Sequence, residues 1–253
     1  MPLILVTNDD GVHSEGIIVL ADALRALGDV VTVAPTTEAS ASGHALTLRQ
    51  PLRLEPVGPD RYAVDGTPTD CVNVGITIVL EGRRPDLIVS GINKGYNLGD
   101  DTTYSGTVAG ALEAALLGIP GLAVSRGEWQ PGDDFGPAAD AALAIAEGML
   151  ARPLPPRTFL NVNVPPGRPQ AFRITVQGRR NHETSVAARV DPRGRHYYWI
   201  DEAQYHWHDD ERADYVAVRQ GFISVTPLQP DMTAHAVLPL LDGYAFSLAS
   251  SRS

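Results

Sequence analysis

The sequence predicts an α/β fold, a doubly wound and mostly parallel sheet between two layers of helices (three-layer α/β/α). Three observations predict it. Short apolar runs rich in β-formers recur along the first two thirds of the chain, each ending at turn residues. Segments with apolar residues at helical spacing separate them. No proline- or serine-rich linker divides the 253 residues into independent parts. Alternation of this kind implies parallel strands with right-handed crossovers.

The elements follow in order. "LILVT" (residues 3–7) reads as a buried central strand. "GIIVLADALRALGD" brings Ile17, Leu20, Ala21, Leu24 and Leu27 to one helical face, with Gly28 placed to end the helix. "VVTVAP" (30–35) is the second strand and "DLIVSGIN" (86–93) a further buried one, followed by a polar, glycine-rich loop. "TVAGALEAALLGIP" (107–120) is a small-residue amphipathic helix, "GLAVS" (121–125) a strand, "FGPAADAALAIAEGML" (135–150) a helix and "FLNVNVP" (159–165) a strand. The core is therefore expected over 1–165. From about Arg173 the texture changes. "FRITVQG", "HYYWID" and "DYVAVRQGFISVTPL" are strand-like, and a polar, Arg-rich stretch runs from Arg179 to Arg195. Residues 166–253 are expected to form a β-rich extension of the same domain with a protruding hairpin, which either mediates oligomerisation or merely decorates the surface.

Composition narrows the class. Hydrophobic residues make up 43% and charged residues 20%, ordinary for a globular protein, and the formal net charge is −10. So acidic a chain lacks the electrostatic footprint of a duplex nucleic-acid binder. A phosphorylated substrate remains compatible, provided a cation or backbone N–H groups supply positive potential. Cys71 is the one cysteine, so no intramolecular disulfide forms, which fits a reducing cytosol. The first ten residues lack a basic leader and reach charge too early for a signal peptide, and no apolar run approaches the ~20 residues of a membrane span. A cytoplasmic location, with no membrane partner, is the expectation.

Ligands of open α/β sheets bind at the carboxyl ends of the strands. Asn8, Asp9, Asp10 and Gly11 follow the first strand. Glu38, Ser40, Ser42, Gly43 and His44 follow the second. Asn93, Asn97, Asp100 and Asp101 follow "DLIVS", and Ser105, Gly106 and Thr107 precede the small-residue helix. Asp9 and Asp10 are either an Asp-Gly turn or a cation site. Two carboxylates with neutral Ser and Asn oxygens suit Mg²⁺, Mn²⁺ or Ca²⁺ rather than zinc. Ser105 to Thr107 are either a plain helix cap or an anion site. The loop "GINKGYNLGDD" is neither a Walker A loop nor a dinucleotide fingerprint. Asn93 offers a carbonyl to a cation, whereas Lys94 reads as solvated. His44, His182 and His235 are scattered and carry no assignment.

Taken together, "VTNDDGV", "APTTEASASGHALTL", "GTPTDCV", "SGINKGYNLGDDTTYSGTVAGALEA", "LNVNVP" and "GFISVTPL" with "DMTAH" resemble the SurE family, the stationary-phase survival proteins, in order and over nearly the whole chain. The resemblance implies a Rossmann-like core with a swapped C-terminal extension, assembled as a homodimer or homotetramer. It implies a divalent-metal-dependent phosphatase acting on nucleoside monophosphates, a 5′(3′)-nucleotidase, with short polyphosphate as a substrate of some members. It implies one divalent cation per subunit, Mg²⁺ or Mn²⁺, on Asp9, Asp10, Ser40 and Asn93. A phosphate site is implied at Asn8, Ser105, Gly106 and Thr107, to which Asn97 is added from its place in the loop. Many members carry a basic residue where this chain has Ala39. Asp231 and His235 match the family's string near the end and receive no catalytic role. Two expected mechanisms stand side by side: attack by cation-activated water, which is favoured, and an aspartyl nucleophile. The rivals are a zinc-dependent sugar deacetylase, which needs "HPDD" where this chain has "VTNDD", and a nucleotide-binding module without catalysis.

Overall fold

The computed structural model describes residues 1–180, 184–202, 206–241 and 243–244. Its main sheet has nine strands. In chain order the elements are β1 (Leu3–Thr7), α1 (Glu15–Leu24), β2 (Asp29–Pro35), β3 (Leu54–Gly58), β4 (Arg61–Val64), α2 (Pro68–Val74), β5 (Leu87–Lys94), α3 (Gly106–Leu116), β6 (Gly121–Arg126), α4 (Gly136–Ala151), β7 (Phe159–Val164), β8 (Phe172–Ile174), β9 (Thr184–Val190), β10 (His196–Glu202), α5 (Asp214–Arg219), β11 (Ile223–Leu228) and α6 (Leu238–Leu241). The sheet order is β3-β4-β2-β1-β5-β6-β7-β11-β8. Strands β4 through β7 run parallel, whereas β3 and β11 are antiparallel to β4 and β7.

The chain winds from β1 toward β2 on one side and reaches β5 on the other, so the order reverses between β1 and β5. The connections leaving these two strands diverge, and a crevice opens at their carboxyl ends. Helices α1 and α4 cover one face and α2 and α3 the other. The larger core cluster joins Ile4, Val6, Ile17, Leu20, Val89, Val124 and Phe135. A second, with Leu5, Val33, Cys71 and Ile88, lies under α2 and α3. Small residues let α3 sit very close to the sheet. A Cβ on Gly110 would fall 2.8 Å from Ser90 Oγ and 2.9 Å from Thr7 Cγ2.

Several expectations are corrected. Helix α1 ends at Leu24, and Gly28 serves a close crossing instead of a cap, since a Cβ there would lie 2.1 Å from Pro2 O. Between Gly43 and Asp86 the chain forms the β3–β4 edge hairpin and α2. Thr67 caps α2, accepting from the Asp70 N–H while the Asp70 carboxylate accepts from the Thr67 N–H. "DYVAVR" is helix α5 rather than strand, with Tyr215 and Val218 buried at i, i+3. The protruding hairpin exists as β9–β10, pairing Trp199 with Ala187. The remainder of the extension is part of the main sheet, because β11 pairs with β7 and carries β8 at the edge. His182 lies outside the described residues. Among those described, no helix is long and apolar enough to cross a membrane.

Candidate active site

The crevice at the ends of β1 and β5 brings together Asn8, Asp9, Asp10, Asn93 and the start of α3. Asn8 is fully buried, and its Nδ2 donates to Gly11 O at 3.1 Å and to Ser14 Oγ at 2.8 Å. These two bonds fix the amide and leave its buried Oδ1 without a hydrogen-bond partner among the described residues. Asp9 is almost wholly buried and accepts a hydrogen bond from the Thr107 hydroxyl. Asp10 is half-buried and accepts the Lys94 backbone N–H at 3.3 Å.

The electrostatics follow from this burial. Desolvation raises the Asp9 carboxyl above the ordinary range, against the lowering effect of the Thr107 hydroxyl and nearby backbone N–H groups. Asp10 is pushed up to about 6, first by burial and then by the charge of Asp9. Glu38 raises both. Lys94 lowers Asp10; its side chain is exposed, as expected, and holds its ammonium 5.2 Å from the centre of the Trp129 ring.

The second and third loops meet this pair. Ala39 N–H donates to Asp9 O at 2.8 Å, which pins the loop after β2 to the end of β1. Ser40 is exposed and donates to Glu38 Oε1 at 2.5 Å. Asn93 Nδ2 donates to Gly95 O at 2.9 Å, turning the amide nitrogen onto its own loop. Ser105 caps α3, its Oγ accepting from Val108 N–H at 3.1 Å, and the hydroxyl proton stays free to donate. Gly106 permits the closest approach, since a Cβ there would meet Asp9 Cβ at 2.8 Å, Ser42 Oγ at 2.9 Å and Asp9 Oδ2 at 3.0 Å. Thr107 faces Asp9 and not the open crevice.

The residues fit a hard divalent cation. One buried and one half-buried carboxylate are destabilised in their charged form, and the Asn8 carbonyl has no donor among the described residues. Among the described residues no group of three or more His, Cys, Asp or Glu is placed to hold a metal. A cation here would therefore rest on two carboxylates and neutral oxygens, a donor set that suits Mg²⁺ or Mn²⁺ and not zinc.

The model of the family described as survival protein SurE matches residues 4–184. The chain belongs to the SurE family. It is 51% identical to the 5′-nucleotidase SurE of Geobacter metallireducens over 247 residues, covering 96% of this chain and 98% of that relative. It is 54% identical to the 5′-nucleotidase SurE of Syntrophotalea carbinolica over 232 residues, covering 91% and 92%. The crystal structure of the SurE protein from Aquifex aeolicus superimposes with a TM-score of 0.85 at 43% identity, over 95% of this chain and 98% of that one.

The crevice is braced by Asn97, expected above at the phosphate site, and by two carboxylates that the sequence did not single out. Asn97 is committed to the scaffold: its N–H donates to Asn163 Oδ1 at 2.8 Å and its Nδ2 to Ser125 Oγ at 2.8 Å. Its carbonyl accepts from Asn161 and Asn163 at 2.8 and 3.1 Å. The signal lay in "FLNVNV", where two asparagines share one face of a buried strand and must find partners. Asp214 accepts backbone N–H groups from Gly99, Gly178 and Tyr215 at 2.8, 3.0 and 2.8 Å, tying the loop before α3 to the C-terminal extension. Glu113, buried on α3, receives Asn73 Nδ2 at 2.7 Å and lies 2.7 Å from His44 Nε2. Nothing in the spacing announced either carboxylate. His235 pairs with Asp231 at 2.8 Å on the exposed tail.

Proposed function

We propose that this SurE chain is a divalent-cation-dependent 5′-nucleotidase, hydrolysing nucleoside monophosphates to nucleoside and inorganic phosphate. The relatives that bear this activity in their names match along nearly the whole chain. The single observation that carries the mechanism is the Asp9–Asp10 pair at the reversal of strand order, braced by Thr107 against the N-terminus of an 11-residue helix.

Asp9, Asp10, Ser40 and Asn93 would hold one Mg²⁺ or Mn²⁺, with Ser40 leaving Glu38 to do so. Held by these residues, such an ion would supply Lewis-acid polarisation of a phosphoryl oxygen and a lowered pKa for water. The Ser105 hydroxyl and the Gly106 N–H orient the phosphoryl group, aided by the helix dipole, while Asn8, its Nδ2 held by Gly11 and Ser14, braces the turn that carries the aspartates. The Thr107 hydroxyl fixes the Asp9 carboxylate. Water attacks phosphorus, the bond to the nucleoside oxygen breaks, and one proton of the attacking water ends on that oxygen, giving nucleoside and inorganic phosphate. Asp9 is a poor nucleophile here because its carboxylate is buried and already accepts from Thr107. Stereochemistry at phosphorus tests this point: inversion supports direct attack by water, and retention, or a phosphoaspartate trapped on the chain, overturns it.

Residues 166–253 serve as an integral part of the same domain and as its oligomerisation element, giving a cytoplasmic homodimer or homotetramer. The hairpin β9–β10 supports this, since it carries Tyr198, Trp199 and Ile200 into solvent at 65, 65 and 86% exposure. Light scattering on the purified chain checks it, and a monomer at micromolar concentration refutes it. For the activity, the test is AMP turnover in metal-stripped protein with and without added Mn²⁺ or Mg²⁺. Turnover with no metal overturns the cation; none with any metal favours a binding module.

A further inference from the structure

Ser42 is unaccounted for in the site as described. Its Oγ is buried and has no hydrogen-bond partner among the described residues. A buried hydroxyl without a partner is costly and calls for an explanation. Its position is specific. Gly106 opens α3, and the Cβ it lacks would lie 2.9 Å from Ser42 Oγ, 2.8 Å from Asp9 Cβ and 3.0 Å from Asp9 Oδ2. The hydroxyl and the carboxylate therefore flank one glycine, at the helix end where backbone N–H groups lack intrahelical acceptors.

The backbone is bent to put it there. Ala41 has φ 55° and Gly43 φ 53°, so Ser42 lies between two left-handed residues, one of them not glycine. Such conformations persist where the surroundings enforce them, and they concentrate at functional sites. The surroundings here are explicit. Ala39 N–H is held by Asp9 O at 2.8 Å, Gly43 N–H by Tyr104 O at 3.0 Å, and His44 lies 2.7 Å from the buried Glu113. Anchors on both sides fix Ser42 against the residues that carry the site. Ser40, two positions earlier, is exposed and bonded to Glu38.

We infer that Ser42 is a substrate-contacting residue whose hydroxyl donates a hydrogen bond to a phosphoryl oxygen, beside the Gly106 N–H and the Ser105 hydroxyl. The role rests on the nucleotidase assignment above and adds a phosphate donor on the loop after β2. The His44–Glu113 contact positions it without touching substrate. The donor acts on the phosphoryl group and leaves the cation's own ligands unchanged.

The test compares wild type, Ser42→Ala and Ser42→Thr in the Mn²⁺-loaded full chain, by calorimetric titration with inorganic phosphate and, separately, with Mn²⁺. A lost hydrogen bond to a charged group weakens phosphate binding by about tenfold or more. Ser42→Ala is expected to show that loss with Mn²⁺ affinity within about twofold of wild type, and Ser42→Thr to restore phosphate affinity. Phosphate binding by Ser42→Ala equal to wild type overturns the inference. So does a loss confined to Mn²⁺ affinity, or failure of threonine to rescue. AMP turnover by wild type in the same preparation tests the nucleotidase assignment independently.

Discussion

Replacing Gly106 with alanine tests how tightly helix α3 is docked on the aspartate pair. The new Cβ would lie 2.8 Å from Asp9 Cβ and 2.9 Å from Ser42 Oγ. The Ser42 hydroxyl can rotate away. The Asp9 Cβ cannot move without its backbone, which is fixed by the end of β1 and by the Ala39 N–H. Ordinary carbon contact begins near 3.5 Å, so Asp9 must retreat by about 0.7 Å. Misplacement of a reacting constellation by an ångström costs about 100-fold, which sets the expected loss in kcat/KM between about 10- and 100-fold. Stability should move little, because glycine to alanine restricts the unfolded chain by roughly 0.4–1 kcal/mol and offsets part of the clash. The assay is phosphate release from AMP with saturating Mn²⁺, alongside thermal unfolding. Gly148→Ala is the control: it lies in α4, a Cβ there meets nothing within 4 Å, and full activity is expected. A Gly106→Ala enzyme with more than half of wild-type kcat/KM would refute the close docking.

Other perturbations read the supports of the site. Thr107→Val keeps the shape but removes the hydroxyl donor to Asp9, and should lower stability of the metal-free protein by about 1–3 kcal/mol, read as a fall in Tm. Asp214→Asn presents an amide N–H to backbone N–H groups that now meet a carboxylate, and should cost about 1–3 kcal/mol and loosen the loop before α3, visible as faster amide exchange at Gly99. Burial raises the Glu113 carboxyl, but hydrogen bonds from His44 and Asn73 prevail and hold it below its ordinary value. A carboxyl whose folded pKa is lowered contributes stability above its unfolded value, near 4.3, and that stability is lost as pH falls through the folded value. Glu113→Gln should therefore flatten the acid limb of the Tm–pH curve, and an unchanged limb would contradict the assigned pairing.

The parallel strands were legible because their buried runs are continuous and end at turn residues. β1, β2, β5, β6 and β7 all lie within two residues of the expected bounds. The meeting of Asp9 and Asp10 with the start of α3 was legible for the same reason, since the loops that carry them leave where those strands stop. The edge hairpin β3–β4 was not, because "LEPVG" is half-exposed and contains proline, which weakens a strand signal. Helix α2 did carry a signal, a threonine cap followed by proline with aspartate three residues on, hidden by its short length. Tyr215, Val216 and Val218 are β-formers, and only packing against Leu98 and Trp207 makes "DYVAVR" helical. Asn97 shows the limit of composition. A loop asparagine beside a phosphate site looks like a ligand, yet its side-chain nitrogen holds Ser125 and its backbone carbonyl holds Asn161 and Asn163. Only three-dimensional pairing distinguishes the two uses.

The central claim is that Asp9 and Asp10 hold a cation that makes the α3 end catalytic. AMP hydrolysis by metal-stripped protein, before and after Mn²⁺ is restored, in wild type and in Asp9→Asn, tests it most directly. The account predicts turnover in wild type only with Mn²⁺ and almost none in Asp9→Asn, whose Tm without metal is equal to or above that of wild type because a buried charge has been removed. Undiminished turnover without metal, or an active Asp9→Asn enzyme, would contradict it.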